Sequence, residues 1–307
     1  MSDKENNTLS INTPKADHIG YYGFRAVHVI SKDKHVTIAL CVCLKTEQYR
    51  VLKIIHFQKT DDRQFALRAM FEREKASLNK LRGVDGIVQL YGHFQFTNTD
   101  ETHLVLVLEY VSFNNRATDM MHFFERYQQQ DPHFVFSEEN TNIIMKSLIN
   151  NLVECKRRGI MHRDLKLENI MVRDVGKSSM EIVLIDFGLS DSDFTRHKRS
   201  RDVYGTPGYI SPLQLTQQEH DIEKSDVFSL GVICFCLLFA RFPTFRFIKA
   251  QQWYEFWVFE EELYLRSKPD RPLPSDLCKD FMECMMQWKE MDRDSLEELA
   301  AHNFLRL

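Results

Sequence analysis

The sequence predicts an α+β fold in which a β-rich first part is followed by a mainly helical second part. In the first part, residues 36–44 and 49–56 have strand composition, and the turn-like residues 45–48 separate them. In the second part, residues 225–240 are apolar nearly all round a helix, which is typical of a helix buried at the centre of a core. With 307 residues, 43% of them hydrophobic, the chain can bury one large core or two coupled cores.

The other elements follow from hydrophobic periodicity. Residues 65–81 place apolar side chains among charged ones at helical spacing, so we predict an amphipathic helix there. Residues 87–96 and 103–110 return to strand composition and complete a small β-rich lobe. A further helix is predicted to begin at Ser137 and to end at Gly159.

Composition narrows the possible classes of function. A net charge of −4 argues against a protein that coats nucleic acid. The N-terminus lacks the apolar segment of a secretory signal, and Ser2 excludes N-myristoylation. The longest apolar run, residues 231–240, is about half a membrane span, so we expect no membrane association. The seven cysteines include no Cys-x-x-Cys pair, which predicts reduced thiols and an intracellular location, cytoplasmic or nuclear.

The most informative stretch is His-Arg-Asp-Leu-Lys-Leu-Glu-Asn at residues 162–169, which brings together an acid, a lysine and an amide. The tripeptide Asp-Phe-Gly at residues 186–188 follows 22 residues after Asp164 and directly after an apolar strand at 182–185. In this order and spacing, the two motifs resemble the catalytic loop and the metal-binding tripeptide of eukaryotic protein kinases.

The resemblance implies a bilobal protein-kinase-like fold with a β-rich N-lobe and a mainly α-helical C-lobe. A flexible tail at residues 1–19 would precede a kinase domain at residues 20–307. Within that domain, the N-lobe would occupy about residues 20–110 and the C-lobe about residues 111–307.

The resemblance also implies an activity, which is transfer of the ATP γ-phosphate to serine or threonine hydroxyls of protein substrates. Within the family, residues 162–169 and the Asp-Arg-Asp-Ser-Leu-Glu-Glu-Leu run at 292–299 are similar to the calmodulin-dependent-kinase-like group. We expect no nucleic-acid or membrane partner, and a monomer by default.

The same resemblance implies a role for each motif residue. Asp164 would accept or orient the proton of the substrate hydroxyl, and Lys166 would steady the transferring phosphate. Asn169 and Asp186 would hold Mg²⁺ through hard oxygen ligands. Lys166, taken with Thr206 in a Gly-Thr-Pro-Gly-Tyr-Ile-Ser-Pro segment, is similar to the serine/threonine class.

A second set of residues is expected to bind ATP. Lys53, in an otherwise apolar strand, resembles the lysine that holds the α- and β-phosphates, and a buried lysine requires a partner. Glu74 would pair with it, and Glu72 is the alternative if the register differs by two residues. Leu108 is the expected gatekeeper, and Asp119 is a candidate contact with ribose or substrate. The residues expected to line the ATP site are Ile30, Ser31, Asp33, Val36, Ile38, Val51, Lys53, Leu108, Glu109, Val111 and Met171.

The chain departs from the family in the loop that normally contains three glycines. Counted back from Lys53, the glycine sites fall at Ser31, Asp33 and Val36. Without glycine the backbone approaches the phosphates less closely, and the Asp33 carboxylate would repel the β-phosphate. We therefore expect weak ATP binding, and the alternative function is a pseudokinase scaffold with weak or no turnover.

Three further positions differ from the usual pattern. Val51 stands where alanine is usual and narrows the slot for adenine. Leu213 replaces the glutamate that normally pairs with the arginine at the position of Arg293, so a less rigid lower lobe is expected. Asp202 either pairs with Arg163, as a phosphorylated residue would, or is a solvated loop residue.

Overall fold

The structure is a computed structural model that describes residues 22–112, 116, 118–174, 180–194, 198–268 and 270–306. The described residues form two compact units. The first contains the described part of Met1–Phe71 together with Gln89–Tyr110, and the second contains Glu72–Val88 together with the described residues from Val111 onward. The tail predicted at residues 1–19 lies outside the described residues.

The first unit is a five-stranded antiparallel sheet with the strand order β1-β2-β3-β5-β4. The strands are β1 Phe24–Lys32, β2 Val36–Cys43, β3 Tyr49–Gln58, β4 Leu90–Thr97 and β5 Glu101–Glu109. The alternation of a strand directs Leu52 and Ile54 to one face, where they join a buried apolar cluster. Lys53 therefore projects from the opposite face, in register with Ile38 on β2 and Leu106 on β5.

Helices dominate the second unit, as the sequence predicts. Helix α1, Gln64–Lys80, follows the sheet's third strand along the chain, and its residues from Glu72 onward belong to this unit. The remaining helices are α2 Met120–Gln130, α3 Glu138–Arg157, α4 Pro212–Leu215, α5 Ile222–Phe239, α6 Phe245–Ala250, α7 Trp253–Ser267, α8 Asp276–Met286 and α9 Leu296–Ala300.

Helix α5 is the centre of this unit. Every one of its residues except Lys224 is buried, which confirms the prediction from its uniformly apolar sequence. The helix ends at Ala240, whose left-handed backbone has a φ of 59°. Ser137 caps α3 by accepting a hydrogen bond from the amide of Asn140, as expected for a serine at a helix start.

Two short hairpins complete the second unit. Strands β6, Ile170–Asp174, and β7, Met180–Leu184, pair antiparallel directly after the 162–169 motif and before the Asp-Phe-Gly tripeptide. Strands β8, Arg199–Ser200, and β9, His220–Asp221, pair in the same way. The hairpin of β6 and β7 therefore brings the two sequence motifs side by side.

The compositional expectations can be compared with the same structure. All seven cysteines are free thiols, as predicted. Among the helices that the structure describes, none combines the length and the hydrophobicity needed to span a bilayer.

Candidate active site

The loop at residues 162–169 is fixed to the core by one buried carboxylate. Asp226 of α5 is 2% exposed, and its two oxygens accept hydrogen bonds from the amides of His162 and Arg163, each at 2.9 Å. Burial raises the pKa of Asp226 to about 7. Arg163 has a φ of 68°, which is unfavourable for a residue with a side chain of this size. The hydrogen bonds from the two amides to Asp226 help to hold this backbone conformation.

His162 supports the loop from the other side. Its Nε2 lies 3.0 Å from the carbonyl of Ile185, and its Nδ1 accepts a hydrogen bond from the amide of Asp164 at 3.3 Å. Burial lowers the pKa of His162, so the ring is neutral and carries its proton on Nε2. The ring also packs against the fully buried Phe187, with the centroids 4.8 Å apart. His162 and Phe187 thus pack the catalytic loop against the Asp-Phe-Gly tripeptide.

The Asp164 carboxylate has a fixed orientation. The hydroxyl of Thr206 donates to its Oδ1 at 2.8 Å, and the Nδ2 of Asn169 donates to its Oδ2 at 3.2 Å. The same Nδ2 also donates to the carbonyl of Asp164 at 2.8 Å. These contacts hold the carboxylate without neutralising it, so it can still accept a proton or a further hydrogen bond.

Lys166 completes a polar triangle with Asp164 and Thr206. Its ammonium donates to the Thr206 hydroxyl at 3.0 Å and lies 3.4 Å from Asp164 Oδ2. From the sequence, Thr206 was predicted only as an indicator of the serine/threonine class and not as a site residue. The Gly-Thr-Pro segment was the available signal, but the contact with Asp164 spans 42 residues and depends on the tertiary fold.

The expected metal ligands lie at the open end of the β6–β7 hairpin: Asn169 directly precedes β6, and Asp186 closely follows β7. The amide of Ile185 donates to the carbonyl of Asn169 at 3.0 Å, which joins the two segments. Asp186 has a φ of 61°, and the amide of Gly188 donates to its Oδ1 at 3.3 Å. Because Nδ2 of Asn169 is directed at Asp164, its Oδ1 remains the atom for a cation. An amide oxygen and a carboxylate are the donors that Mg²⁺ prefers, so the residues present fit that ion.

Lys53 and Glu74 occupy the environments expected of them, one in each unit. The Lys53 residue is 6% exposed, and Glu74 is fully buried on α1. Glu72 is instead exposed and forms an ion pair with Lys75 at 2.5 Å. A carboxylate is buried at high cost unless it has a partner, which favours Glu74 over Glu72 for the predicted pair. The pairing itself stays a prediction.

The other residues predicted to line the ATP site are divided between the units. Val111 and Met171 belong to the second unit, whereas the rest belong to the first. In the first unit, Val51 pairs in register with both Leu40 on β2 and Leu108 on β5. The amide of Glu109 donates to the carbonyl of Gln89 at 2.9 Å, so this strand end is anchored to the residue that precedes β4. The first unit contains Ile30, Ser31, Asp33, Val36, Ile38, Val51, Lys53, Leu108 and Glu109.

Asp33 explains how the turn between β1 and β2 forms without glycine. Its Oδ1 accepts hydrogen bonds from the amides of His35 and Val36, both at 2.8 Å, and its own amide donates to the carbonyl of Val36 at 2.9 Å. No residue from Ser31 to Val36 has a positive φ. The side chain thus closes the turn in a conformation that any residue adopts, and it occupies two amides of the loop.

The side chain of Arg163 contacts several residues that precede the Gly-Thr-Pro segment. Its side chain is 8% exposed, and its guanidinium lies 3.5 Å from Asp202, 3.3 Å from the Ser200 hydroxyl and 4.0 Å from Asp191. The Tyr204 ring faces it, with a centroid distance of 4.1 Å. Asp202 is 61% exposed, and exposed ion pairs contribute about 0–1 kcal/mol. A desolvated guanidinium on an aromatic ring contributes about 2 kcal/mol, so Tyr204 is the stronger partner.

Asp119, a candidate contact with ribose or substrate, has a structural role at the start of a helix. Asp119 caps α2 by accepting the amide of His122 at 2.9 Å, and it pairs with the His122 ring at 2.6 Å. Hydrogen bonding to Asp119 raises the pKa of His122.

Arg293 was expected to lack its usual glutamate partner, but its guanidinium donates instead to three backbone carbonyls. These are the carbonyls of Gln287, Lys224 and Trp288. Arg293 is thus hydrogen-bonded although Leu213 replaces the usual glutamate, and the lower rigidity expected of the lobe stays a prediction.

Comparisons with known proteins agree with this geometry. A family profile described as "Protein kinase domain" matches residues 28–305. Serine/threonine-protein kinase PLK4 of Drosophila grimshawi is 24% identical over 285 residues, which cover 92% of this chain and 34% of that protein. Serine/threonine-protein kinase PLK2 of Mus musculus is 28% identical over 240 residues, which cover 76% of this chain and 31% of that protein.

A third relative is calcium-dependent protein kinase 4 of Plasmodium berghei, which is 27% identical over 279 residues covering 91% of this chain and 47% of that protein. The chain spans about a third of the length of the first two relatives and about half that of the third. The family profile matches almost the whole chain, and the catalytic-loop geometry agrees with it. The chain belongs to the protein kinase domain family.

Proposed function

We propose that this chain transfers the γ-phosphate of ATP to serine or threonine hydroxyls of protein substrates. The observation that carries the proposal is the hydrogen-bonded cluster of Asp164, Lys166, Asn169 and Thr206. Phosphoryl transfer requires positioning and electrostatic stabilisation more than covalent chemistry, and this cluster supplies both.

Each member of the cluster has a distinct task. Asp164 accepts the hydrogen bond of the substrate hydroxyl and orients the attacking oxygen, because Thr206 and Asn169 prevent its carboxylate from rotating. Lys166 neutralises charge on the transferring phosphate from its position beside Asp164. Asn169 and Asp186 would hold Mg²⁺, which neutralises charge on the phosphate oxygens when bound.

The serine/threonine preference is supported by Thr206 and by the names of the relatives. The Thr206 hydroxyl connects the Gly-Thr-Pro segment to both Asp164 and Lys166, so the segment that faces the substrate is fixed to the catalytic groups. PLK4 and PLK2 are both named serine/threonine-protein kinases.

The ATP site and the domain limits belong to the same proposal. Lys53 would hold the α- and β-phosphates while paired with Glu74. The lining residues would be those predicted from the sequence, within a domain at residues 20–307 in which the N-lobe would end near residue 110 and the C-lobe would begin near residue 111. Because Asp33 occupies two loop amides, we expect ATP to bind weakly and turnover to require high ATP concentrations.

The test is phosphorylation of a mixed peptide library by the purified chain with Mg-ATP, with the modified residues identified by mass spectrometry. The expected products are phosphoserine and phosphothreonine, and Asp164→Ala should reduce their formation at least 100-fold, as for loss of a general base. Equal phosphorylation by the two proteins would overturn the proposal and leave a pseudokinase scaffold. Phosphotyrosine as the main product would overturn the serine/threonine preference alone.

A further inference from the structure

We propose that Tyr204 is a positioning residue whose ring holds the guanidinium of Arg163 and thereby aligns the catalytic loop without a phosphate group. The inference rests on the proposed function for its kinetic consequence. Its structural basis is the stack of one aromatic ring with two arginines, Arg163 of the catalytic loop at 4.1 Å and Arg73 of α1 at 5.5 Å.

The position of Tyr204 is fixed by its backbone. Its carbonyl accepts a hydrogen bond from Nε2 of Gln214 at 3.0 Å, and Oε1 of Gln214 accepts from the amide and hydroxyl of Ser211. The next residue, Gly205, has a φ of 115°, and a Cβ there would lie 3.3 Å from the carbonyl oxygen of Arg163. The segment therefore lies directly against the catalytic loop, and only glycine permits this approach without strain.

The Arg163 guanidinium has no short charge-assisted partner among the described residues. The carboxylates of Asp191 and Asp202 lie 4.0 and 3.5 Å away, and Ser200 offers a neutral hydroxyl at 3.3 Å. Charge-assisted hydrogen bonds of arginine are normally about 2.7–2.9 Å long. The ring face of Tyr204 is therefore the contact that best compensates this buried cation.

Alignment of Arg163 matters because the residue adjoins Asp164. The amide of Arg163 donates a hydrogen bond to Asp226, but the backbone φ of 68° is unfavourable for this residue. Its backbone conformation therefore depends on the contacts that hold the residue in place. Rotation of an unsupported Arg163 would displace the Asp164 carboxylate from Thr206. The ring of Tyr204 prevents this, and its contact with Arg73 extends the same support to α1.

The experiment compares wild type, Tyr204→Phe and Tyr204→Leu after phosphatase treatment, with two readouts. Hydrogen exchange of peptides that span residues 160–168 reports the alignment of the loop whether or not the protein turns over substrate. Steady-state kinetics report kcat and the KM for ATP. Asp202→Asn is the matched control, because it removes the exposed carboxylate and leaves the ring.

The expected result is wild-type behaviour for Tyr204→Phe, and faster exchange with about a tenfold lower kcat for Tyr204→Leu at nearly unchanged KM. Asp202→Asn should change kcat less than twofold. Wild-type exchange in Tyr204→Leu would overturn the inference, as would a larger effect of Asp202→Asn. An inactive wild type with the expected exchange pattern would instead contradict the proposed function and support the alignment.

Discussion

At the scale of a residue, Asp33 shows how one side chain determines the conformation of the turn between β1 and β2. Its carboxylate accepts the two amides of the turn between β1 and β2, so the turn is closed by the protein itself. The loop consequently needs no residue with a positive φ, and glycine is dispensable for its conformation. In the proposed ATP site this arrangement would weaken ATP binding, because the two amides are occupied and a negative charge lies in the loop.

Substitution of Asp33 separates these two effects. Asp33→Asn keeps a side-chain acceptor for the turn but removes the charge, and should lower the KM for ATP up to about fivefold, since close like charges in water repel by about 1 kcal/mol. Asp33→Gly also releases the amides and should lower the KM further. Both variants should keep the kcat of wild type. Steady-state ATP titration is the measurement, and an unchanged KM in both would show that the loop does not contact the phosphates.

Asp226 is expected to make the stability of the folded protein decrease as the pH rises. Burial raises its pKa from 3.8 to about 7, so the folded protein retains a proton that the unfolded chain releases near pH 4. The stability contributed by this group is fully present below about pH 4 and is lost as the pH rises through about 7. Each pKa unit corresponds to about 1.4 kcal/mol, so the loss amounts to a few kcal/mol.

Asp226→Asn, which cannot titrate, is the reference for this effect. The free energy of unfolding of wild type minus that of Asp226→Asn should decrease steadily between pH 4.5 and 7 and then level off. Urea denaturation at several pH values measures this difference. A difference that stays constant, or that grows with pH, would show that Asp226 is ionised throughout and stabilised by the two amides.

At the scale of elements, the segment that follows α1 is fixed by contacts with α3 and β7. The carbonyl of Gly86 accepts hydrogen bonds from Asn151 of α3 at 3.1 Å and from the amide of Leu184 at 2.9 Å. Gly86 has a φ of 71°, and a Cβ at this position would overlap the Asn151 side chain. The glycine is thus favoured by its backbone conformation, and a side chain here would displace Asn151 from its hydrogen bond with the Gly86 carbonyl.

Gly86→Ala and Gly83→Ala form a matched pair for this element. Gly83 has a φ of 75° but no atom within 4 Å of its Cβ position, so its substitution adds only backbone strain, about 1–2 kcal/mol. Gly86→Ala adds the overlap with Asn151, and overpacking costs about 1–3 kcal/mol more. Thermal unfolding should therefore give Gly86→Ala the lower Tm. Equal Tm values for the two variants would contradict the close packing of α3 against Gly86.

At the scale of the whole molecule, the fold class and the catalytic loop were predictable because their signals are local. Periodicity identifies α5, and the spacing of residues 162–169 and 186–188 identifies the motifs. The contact of Thr206 with Asp164, the stack of Tyr204 on Arg163 and the carbonyl partners of Arg293 were not predictable. The first two contacts join residues far apart in sequence, and the third needs Lys224 and the loop at residues 287–288 to meet around the Arg293 side chain, so only the folded chain shows them. The role of Asp33 in closing the turn could not be inferred from its charge, because it depends on the geometry of the neighbouring amides, and its effect on ATP stays a prediction.

The measurement that tests the central claim most directly is the single-turnover rate of phosphoryl transfer from Mg-ATP to a serine peptide, in wild type against Asp164→Asn. Asparagine keeps the size of the side chain and can still accept from Thr206, so the fold and ATP binding should be unchanged. Wild type is expected to transfer phosphate, and the variant to be about 100-fold to 10,000-fold slower. Equal rates in the two proteins, or no transfer by either, would contradict the assignment of this loop as a catalytic centre.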